Sequence, residues 1–296
     1  MDGARSRCCE RTTGGLELVA GPATGSRWFN GLGYRGPLEV HQITRGKGRK
    51  LLLVHGLGGS WQSWSTILDP LSTSRTVIAI DLPGHGATPA ERDSGTFDGL
   101  VGSVERYIAD NGLTGIDVVG SSMGARIVLE LARRGSVGNV VALDPGGFWR
   151  GWERTFFKIT IGLSGRLLRA IRPALPTLSR NVASRTALLA QLSARPWALD
   201  PQTIATELTG LSTTPTFDAL VADLAAGPEQ SGPAAASTGR IVIGWGRHDH
   251  LCLPRQATRA MAAFSSADLH WFKSSGHFPA WDMPDETVAV ILAATS

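Results

Sequence analysis

The stretch that decides the fold is IDVVGSSMGARIVL, residues 116–129 of a 296-residue chain. It begins as a short β-branched run, continues as Gly-x-Ser-x-Gly around Ser122, and ends with the apolar spacing of a helix. Small residues allow a sharp reversal from strand to helix, which lifts the serine hydroxyl above the end of the sheet. The start of the helix also directs backbone N–H groups toward negative charge developing beside this hydroxyl. The stretch therefore predicts Ser122 as a nucleophile for acyl chemistry.

Two glycine-rich loops upstream each follow a short apolar run. Residues Lys50–Val54 lead into HGLGG at 55–59, and Thr76–Ile80 lead into DLPGHG at 81–86. These strands, loops and turn follow the chain order of the α/β-hydrolase superfamily, and from about Leu38 onward the chain resembles its capped, esterase-like serine hydrolases. The resemblance implies an α/β-hydrolase fold with a mostly parallel central sheet, helices on both faces and a helical cap inserted after the sixth strand.

The periodicity of the sequence independently predicts an α/β fold. We expect parallel strands near residues 50–54, 76–80, 115–119, 139–143, 240–244 and 268–272, and an antiparallel pair near 27–34 and 38–43 at the sheet edge. Helical patterns are clearest at 99–111 and 125–134. About 95 residues separate the strand at 139–143 from the next strand, far more than a crossover helix needs, so an inserted domain is expected there.

The chain accordingly divides into three parts. Residues 1–26 are rich in Gly, Ser, Thr and Arg and predict a flexible tail. The hydrolase core is expected at 27–147 and 236–296, and the helical cap at 148–235. Candidate cap helices cover 152–161, 164–171, 184–192, 201–211 and 216–224. The resemblance implies that the cap lies over Ser122 and forms much of the substrate pocket.

A serine nucleophile needs a base that accepts its proton and an acid that orients the base. Among seven histidines, only His277 follows the last predicted strand, in a loop from which it could reach Ser122. The resemblance assigns the acid to Asp249, which stands in a G-x-x-D-x-x-x-x-P loop. Asp144 is the competing acid because some relatives carry theirs after the earlier strand, although its own surroundings read as a strand-end turn.

Two backbone N–H groups are expected to stabilise the oxyanion. Met123 follows the nucleophile directly, and the resemblance assigns the second N–H to Leu57, whereas His55 is interpreted as a brace for its glycine loop. No cofactor is expected. The segment His248-Asp249-His250 has neither the helical H-E-x-x-H spacing nor the cysteine companions of a zinc site, so no metal is expected.

The charge, the cysteines and the apolar runs of the sequence indicate which partners and which cellular location to expect. The chain is 42% hydrophobic, and its net charge of +4 comes without a lysine-rich run, so nucleic-acid binding is not expected. Cys8, Cys9 and Cys252 give no disulfide framework. The N-terminus has no apolar signal region, and no apolar run reaches 18 residues, so no integral membrane segment is expected. A cytoplasmic location is the resulting expectation.

The predicted cap is rich in cations and aromatic residues. Between Arg150 and Arg195, nine Arg or Lys residues accompany one acid, Glu153. We interpret them as a solvated surface, with attraction of an anionic substrate or lipid surface as the alternative. Arg166, Arg169 and Arg172 are expected along one side of a helix. Of the aromatic residues at the cap entrance, most are expected in the core and one or two in the wall of the pocket: Trp149, Trp152, Phe156 and Phe157.

Together the motifs predict a hydrolase that cleaves a small or medium carboxylic ester through an acyl-enzyme. Ser122 argues against haloalkane dehalogenases and epoxide hydrolases, relatives whose nucleophile is an aspartate. Carbon–carbon bond hydrolases are the alternative, although Phe278 stands where that family usually has Trp. Lactonases and perhydrolases use the same triad. A non-catalytic ligand-binding protein is the alternative from another class, because the fold alone does not prove catalysis.

Overall fold

The computed structural model describes residues 40–233 and 239–296. Within these residues lies a seven-stranded sheet with the order β1-β3-β2-β4-β5-β6-β7. Its strands are β1 (Gln42–Arg45), β2 (Lys50–Val54), β3 (Thr76–Ile80), β4 (Asp117–Ser121), β5 (Val140–Leu143), β6 (Ile241–Gly246) and β7 (Asp268–Phe272). Only β1 runs antiparallel to its neighbour in this sheet, with Gln42 opposite Ile80. The predicted α/β architecture is confirmed.

Helices cover both faces of the sheet, so the central strands are apolar along their whole length. The helices of the α/β core are α1 (Ser65–Ser72), α2 (Phe97–Asp110), α3 (Met123–Arg134), α9 (Gln256–Ala263), α10 (Pro279–Asp282) and α11 (Pro284–Ala294). Leu52 and Val54 belong to one core cluster with α2, α3 and α9, whereas Leu51 and Leu53 belong to another with α1 and α11. Alternation along each strand thus builds two apolar layers.

All six parallel strands occur where the sequence predicts them, each starting within two residues of its expected position. The antiparallel edge strand is also present at Gln42–Arg45. Its expected partner at 27–34 and the expected tail at 1–26 lie outside the described residues. For this reason β5 is the fifth strand of the described chain but the sixth in the sequence-based count.

The insertion between β5 and β6 is helical. It contains α4 (Trp152–Ile171), α5 (Leu175–Arg180), α6 (Val182–Leu189), α7 (Pro201–Thr213) and α8 (Phe217–Ala226). The expectation of separate helices at 152–161 and 164–171 was wrong, because α4 continues through Gly162 and Gly165. A Cβ at Gly165 would lie 2.4 Å from the Phe217 ring, so the glycine lets α4 pack closely on α8. No helix in the described residues is long and apolar enough to cross a membrane.

Candidate active site

Ser122 occupies the tight turn between β4 and α3. Its φ of 56° lies in a region that few non-glycine residues adopt, and it directs the side chain away from the strand. A Cβ at Gly124 would lie 2.1 Å from the Val54 carbonyl oxygen, and a Cβ at Gly120 would lie 2.3 Å from the Gly124 carbonyl oxygen. Both positions require glycine because α3 packs directly against strand backbone.

A continuous chain of hydrogen bonds joins the three residues predicted as nucleophile, base and acid. His277 Nε2 lies 2.8 Å from Ser122 Oγ, and His277 Nδ1 lies 2.8 Å from Asp249 Oδ2. Asp249 Oδ1 accepts the backbone N–H groups of Leu251 and Cys252, each at 2.8 Å. With Nδ1–H donated to Asp249, Nε2 has a lone pair for the serine hydroxyl. Because His277 and Asp249 are almost fully buried, water competes little for these bonds.

The insertion holds the histidine loop in place. His277 N–H donates to the Leu192 carbonyl oxygen at 2.8 Å. Asp282 accepts the backbone N–H of Gly276 at 2.7 Å and that of Ala194 at 2.9 Å. Asp282 is visible in the sequence beside His277, but sequence reasoning missed its role because its partner Ala194 is 88 residues away.

Asp144, the competing acid, lies beside Asp249 but is not the hydrogen-bond partner of His277. Its Oδ1 accepts the Gly246 N–H at 2.8 Å, whereas its buried Oδ2 has no hydrogen-bond donor in the described part of the chain. Burial and the adjacent Asp249 raise the pKa of Asp144 well above its usual value. The geometry therefore gives the hydrogen bond with His277 to Asp249 and not to Asp144.

The two residues predicted to supply oxyanion N–H groups line one cavity together with Ser122. Met123 is the first residue of α3, so its N–H has no carbonyl acceptor four residues earlier in the helix. Leu57 belongs to the glycine loop, which passes close to the serine, because a Cβ at Gly56 would lie 3.1 Å from Ser122 Cβ. The Gly59 N–H bonds the Gly56 carbonyl oxygen at 3.1 Å and closes this turn.

His55 connects the two glycine-rich loops. Its Nδ1 lies 2.7 Å from the Gly56 carbonyl oxygen, and its Nε2 accepts the Leu82 N–H at 2.9 Å. Burial lowers the pKa of His55 to about 4, so the imidazole is neutral at neutral pH. Both ring nitrogens are thus engaged in bracing, as the sequence interpretation proposed.

A cavity of about 310 Å³ lies between the α/β core and the insertion and contains Ser122. Apolar side chains dominate its wall, including Trp149 and Phe157, whose rings stack at 4.5 Å. Leu167 and Ala187 also line it while being exposed, which marks the opening of the cavity. Of the four aromatic residues expected at the cap entrance, Trp149 and Phe157 are buried in the cavity wall, whereas Trp152 is 58% exposed and departs from the core expected for most of them.

A buried acid from the insertion also lines the cavity. Glu207 on α7 has both carboxyl oxygens close to Ser63 Oγ, at 2.9 and 3.0 Å. Burial raises the pKa of Glu207 to about 8. The sequence gives no signal for this residue, because a single Glu in a helical pattern reads as a solvent-facing side chain.

One group of possible metal ligands occurs within residues 40–233 and 239–296. The ligating atoms of Asp249, Cys252 and His277 lie within 4.8 Å of one another. Both ring nitrogens of His277 are already hydrogen-bonded, and His250, which the sequence places beside Asp249, is exposed. The hydrogen bonding therefore favours proton transfer by His277 over metal ligation.

Comparison with known proteins identifies the family to which the chain belongs. The model of the Alpha/beta hydrolase family matches residues 51–290, more than half of the chain. The dihydrolipoyllysine-residue acetyltransferase component of the acetoin cleaving system of Cupriavidus necator is 29% identical over 261 residues. That match covers 86% of this chain and only 66% of the relative, so this chain corresponds to part of the longer protein.

Two further similarities concern hydrolases. The 2-hydroxy-6-oxononadienedioate/2-hydroxy-6-oxononatrienedioate hydrolase of Escherichia coli is 26% identical over 267 residues, covering 86% of this chain and 90% of the relative. The structure of a thermophilic esterase from Thermogutta terrifontis superposes with a TM-score of 0.67 at 18% identity, covering 86% of this chain and 92% of that chain. At this identity the structural match supports the fold alone.

Proposed function

Since the chain belongs to the alpha/beta hydrolase family, we propose that it is a serine hydrolase that cleaves a small or medium carboxylic ester through an acyl-enzyme. The observation that carries the proposal is the hydrogen-bonded chain from Ser122 through His277 to Asp249. A serine hydroxyl is a weak nucleophile near neutral pH, and this chain of bonds supplies the base and the orienting acid that it needs.

In the proposed first step, Ser122 Oγ attacks the ester carbonyl carbon while His277 Nε2 takes the hydroxyl proton. Asp249 keeps the imidazole oriented through Nδ1–H and stabilises the imidazolium that forms. The backbone N–H groups of Leu57 and Met123 stabilise the oxyanion, and removal of one such donor typically costs about 3 kcal/mol. His277 then protonates the departing alkoxide, which leaves an acyl group on Ser122.

In the second step, water attacks the acyl carbonyl, with His277 accepting the water proton and returning it to Ser122 Oγ. The acid product leaves through the opening between α4 and α6. We propose that residues 148–235 form a cap on a core of residues 27–147 and 236–296, and that the apolar cavity holds the acyl chain. A volume of about 310 Å³ supports a small or medium substrate.

The direct test is hydrolysis of p-nitrophenyl esters from acetate to decanoate. We expect turnover with a preference for intermediate chain lengths, and a loss of kcat of about 10⁶-fold in Ser122→Ala. The matched control is Ser121→Ala, which changes the neighbouring serine at the end of β4. Equal turnover by Ser122→Ala and the native chain would refute the proposal.

Carbon–carbon bond hydrolysis is the second candidate. The similarity to the Escherichia coli 2-hydroxy-6-oxononadienedioate hydrolase favours it. Met123 directly after Ser122 also favours it, because carbon–carbon bond hydrolases resemble this chain in having a serine followed by methionine. Phe278, in the place where that family usually has Trp, argues for the ester. Parallel assays on an ester and on a 2-hydroxy-6-oxo-dienoate separate the two candidates, since we expect the larger kcat/KM on the ester.

A further inference from the structure

Helix α4 is apolar on two opposite sides. Phe157, Ile161 and Leu168 on one side are buried in the two core clusters. The other side carries four exposed side chains, which we call the outer apolar stripe: Trp152, Ile159, Leu163 and Leu167. Their spacings of seven, four and four residues place them along one line of the helix surface.

The outer apolar stripe is unusual for a surface helix. Each of its four side chains is at least 52% exposed, and together they make up four of the six exposed large hydrophobic residues in the described part of the chain. Single exposed hydrophobic residues are common, whereas a contiguous apolar patch marks an interaction site. A helix that is apolar on both sides normally has partners on both sides.

Uncompensated cations accompany this stripe. Lys158 and Arg166 on α4 and Arg172 directly after it are exposed and have no acidic side chain within ion-pair distance among the described residues. Arg169 differs, because it pairs with Asp218 at 3.0 Å. The expected row of three arginines is thus reduced to two uncompensated ones. Arg166 lies beside the stripe, three residues after Leu163, whereas Arg172 lies beyond the end of the helix.

The outer apolar stripe ends at the opening of the cavity. Leu167 belongs to the stripe and also lines the cavity that contains Ser122. Ala187 and Ala190 complete the exposed apolar part of the cavity wall. A surface that covered the stripe would therefore also lie against the opening.

We propose that the outer apolar stripe of α4 docks onto the surface of an anionic lipid membrane. Its apolar side chains would enter the interfacial layer, while Arg166 beside the stripe and Lys158 on its flank bind headgroup phosphates. Charge favours this occupant over a second copy of the chain, because a symmetric contact would bring like charges together. The proposal concerns docking, so it does not depend on which bond the cavity hydrolyses.

The test is co-sedimentation of the full chain with vesicles of phosphatidylcholine, either pure or with about one third phosphatidylglycerol. We expect at least roughly tenfold stronger partitioning onto the anionic vesicles, which weakens as salt is added. Leu163→Asp and Arg166→Glu should each weaken that partitioning about tenfold. Neither residue lines the cavity, so hydrolysis of a soluble ester should stay unchanged.

Two control variants add the same charges elsewhere. Ala289→Asp changes an exposed residue of α11. Lys47→Glu changes an exposed residue before β2, at the end of the sheet away from Ser122. Both should bind vesicles like the native chain. A folded native chain that binds neither vesicle type, or both equally, would overturn the proposal. The proposal would also be overturned if the native chain formed a dimer that Leu163→Asp dissociates and did not bind vesicles. The stripe would then be a contact between two copies of the chain.

Discussion

Asp144 and Asp249 are both buried and lie next to each other in the site, but they have different hydrogen-bond partners. Asp249 is hydrogen-bonded to His277, whereas Asp144 accepts the Gly246 backbone N–H, and burial beside Asp249 raises its pKa well above the usual value. We expect Asp249→Asn to lower kcat/KM about 10⁴-fold, because the amide no longer holds the required tautomer. Asp144→Asn should stay within about tenfold of the native value, since the Asn amide oxygen can still accept the Gly246 N–H and Asp144 is not hydrogen-bonded to His277. Steady-state kinetics on one ester measures both.

Asp144→Asn is the matched control for Asp249→Asn, because both substitutions replace a buried carboxyl by an amide of equal size. Comparable thermal melting of the two variants would show that both are folded. Retained activity in Asp249→Asn together with loss in Asp144→Asn would assign the acid to Asp144 instead.

The buried carboxyl of Glu207 makes the free energy of unfolding of the chain depend on pH. Burial raises its folded pKa from 4.5 to about 8, so its contribution to stability is complete below pH 4.5 and is lost as the pH rises toward 8. Glu207→Gln mimics the protonated acid and lacks this loss. We therefore expect the variant to gain stability relative to the native chain between pH 5 and about 8, as measured by urea unfolding. If the free energies of unfolding of Glu207→Gln and the native chain changed with pH in the same way, the pKa of Glu207 would not be raised.

At the residue scale, the sequence could predict those residues that stand in short motifs at strand ends. Ser122 directly follows β4, whereas Asp249 and His277 stand in the loops after β6 and β7. Parallel pairing therefore brings all three to one edge of the sheet. Glu207 and Asp282 could not be predicted, because their partners Ser63 and Ala194 come from distant segments.

At the scale of elements, two helical glycines in different surroundings should respond oppositely to substitution. A Cβ at Gly124 of α3 would meet the Val54 carbonyl oxygen at 2.1 Å, whereas Gly162 of α4 has nothing within 4 Å. Gly162→Ala should raise the free energy of unfolding by about 0.5–1 kcal/mol through helix propensity. Gly124→Ala should lower it by about 1–3 kcal/mol through overpacking.

Urea unfolding of the two variants checks this pair, and Gly162→Ala serves as the matched control for Gly124→Ala. Equal effects at the two positions would contradict the close packing of α3 on β2. Destabilisation by Gly162→Ala alone would show that α4 is not a continuous helix.

The predictions for the elements were accurate in the core and weaker in the insertion. Buried parallel strands give continuous apolar runs that periodicity detects, and all six were found. In the insertion, Gly162 and Ser164 suggested a break that the packing of α4 on α8 overrides. Helix α5 was not predicted because Pro173 and Pro176 read as breakers, although proline fits the first turn of a helix.

At the scale of the whole molecule, Asp282 links the insertion to the histidine loop. Asp282→Asn removes the negative charge that strengthens the hydrogen bonds from Gly276 and Ala194, so we expect a loss of about 1–2 kcal/mol in unfolding free energy. Activity should fall mainly through kcat, since the Gly276–His277 segment loses its anchor. Asp285→Asn on the exposed side of α11 is the control, and it should leave both quantities unchanged. An unchanged kcat in Asp282→Asn would show that the insertion does not position His277.

Intact-protein mass spectrometry after treatment with a fluorophosphonate tests whether Ser122 is a covalent nucleophile that His277 activates. We expect a single adduct that peptide mapping assigns to Ser122. The adduct should be absent in Ser122→Ala and formed far more slowly in His277→Ala, while Ser121→Ala labels normally. A folded chain that takes up no label, or takes it up at another residue, would show that Ser122 is not the nucleophile.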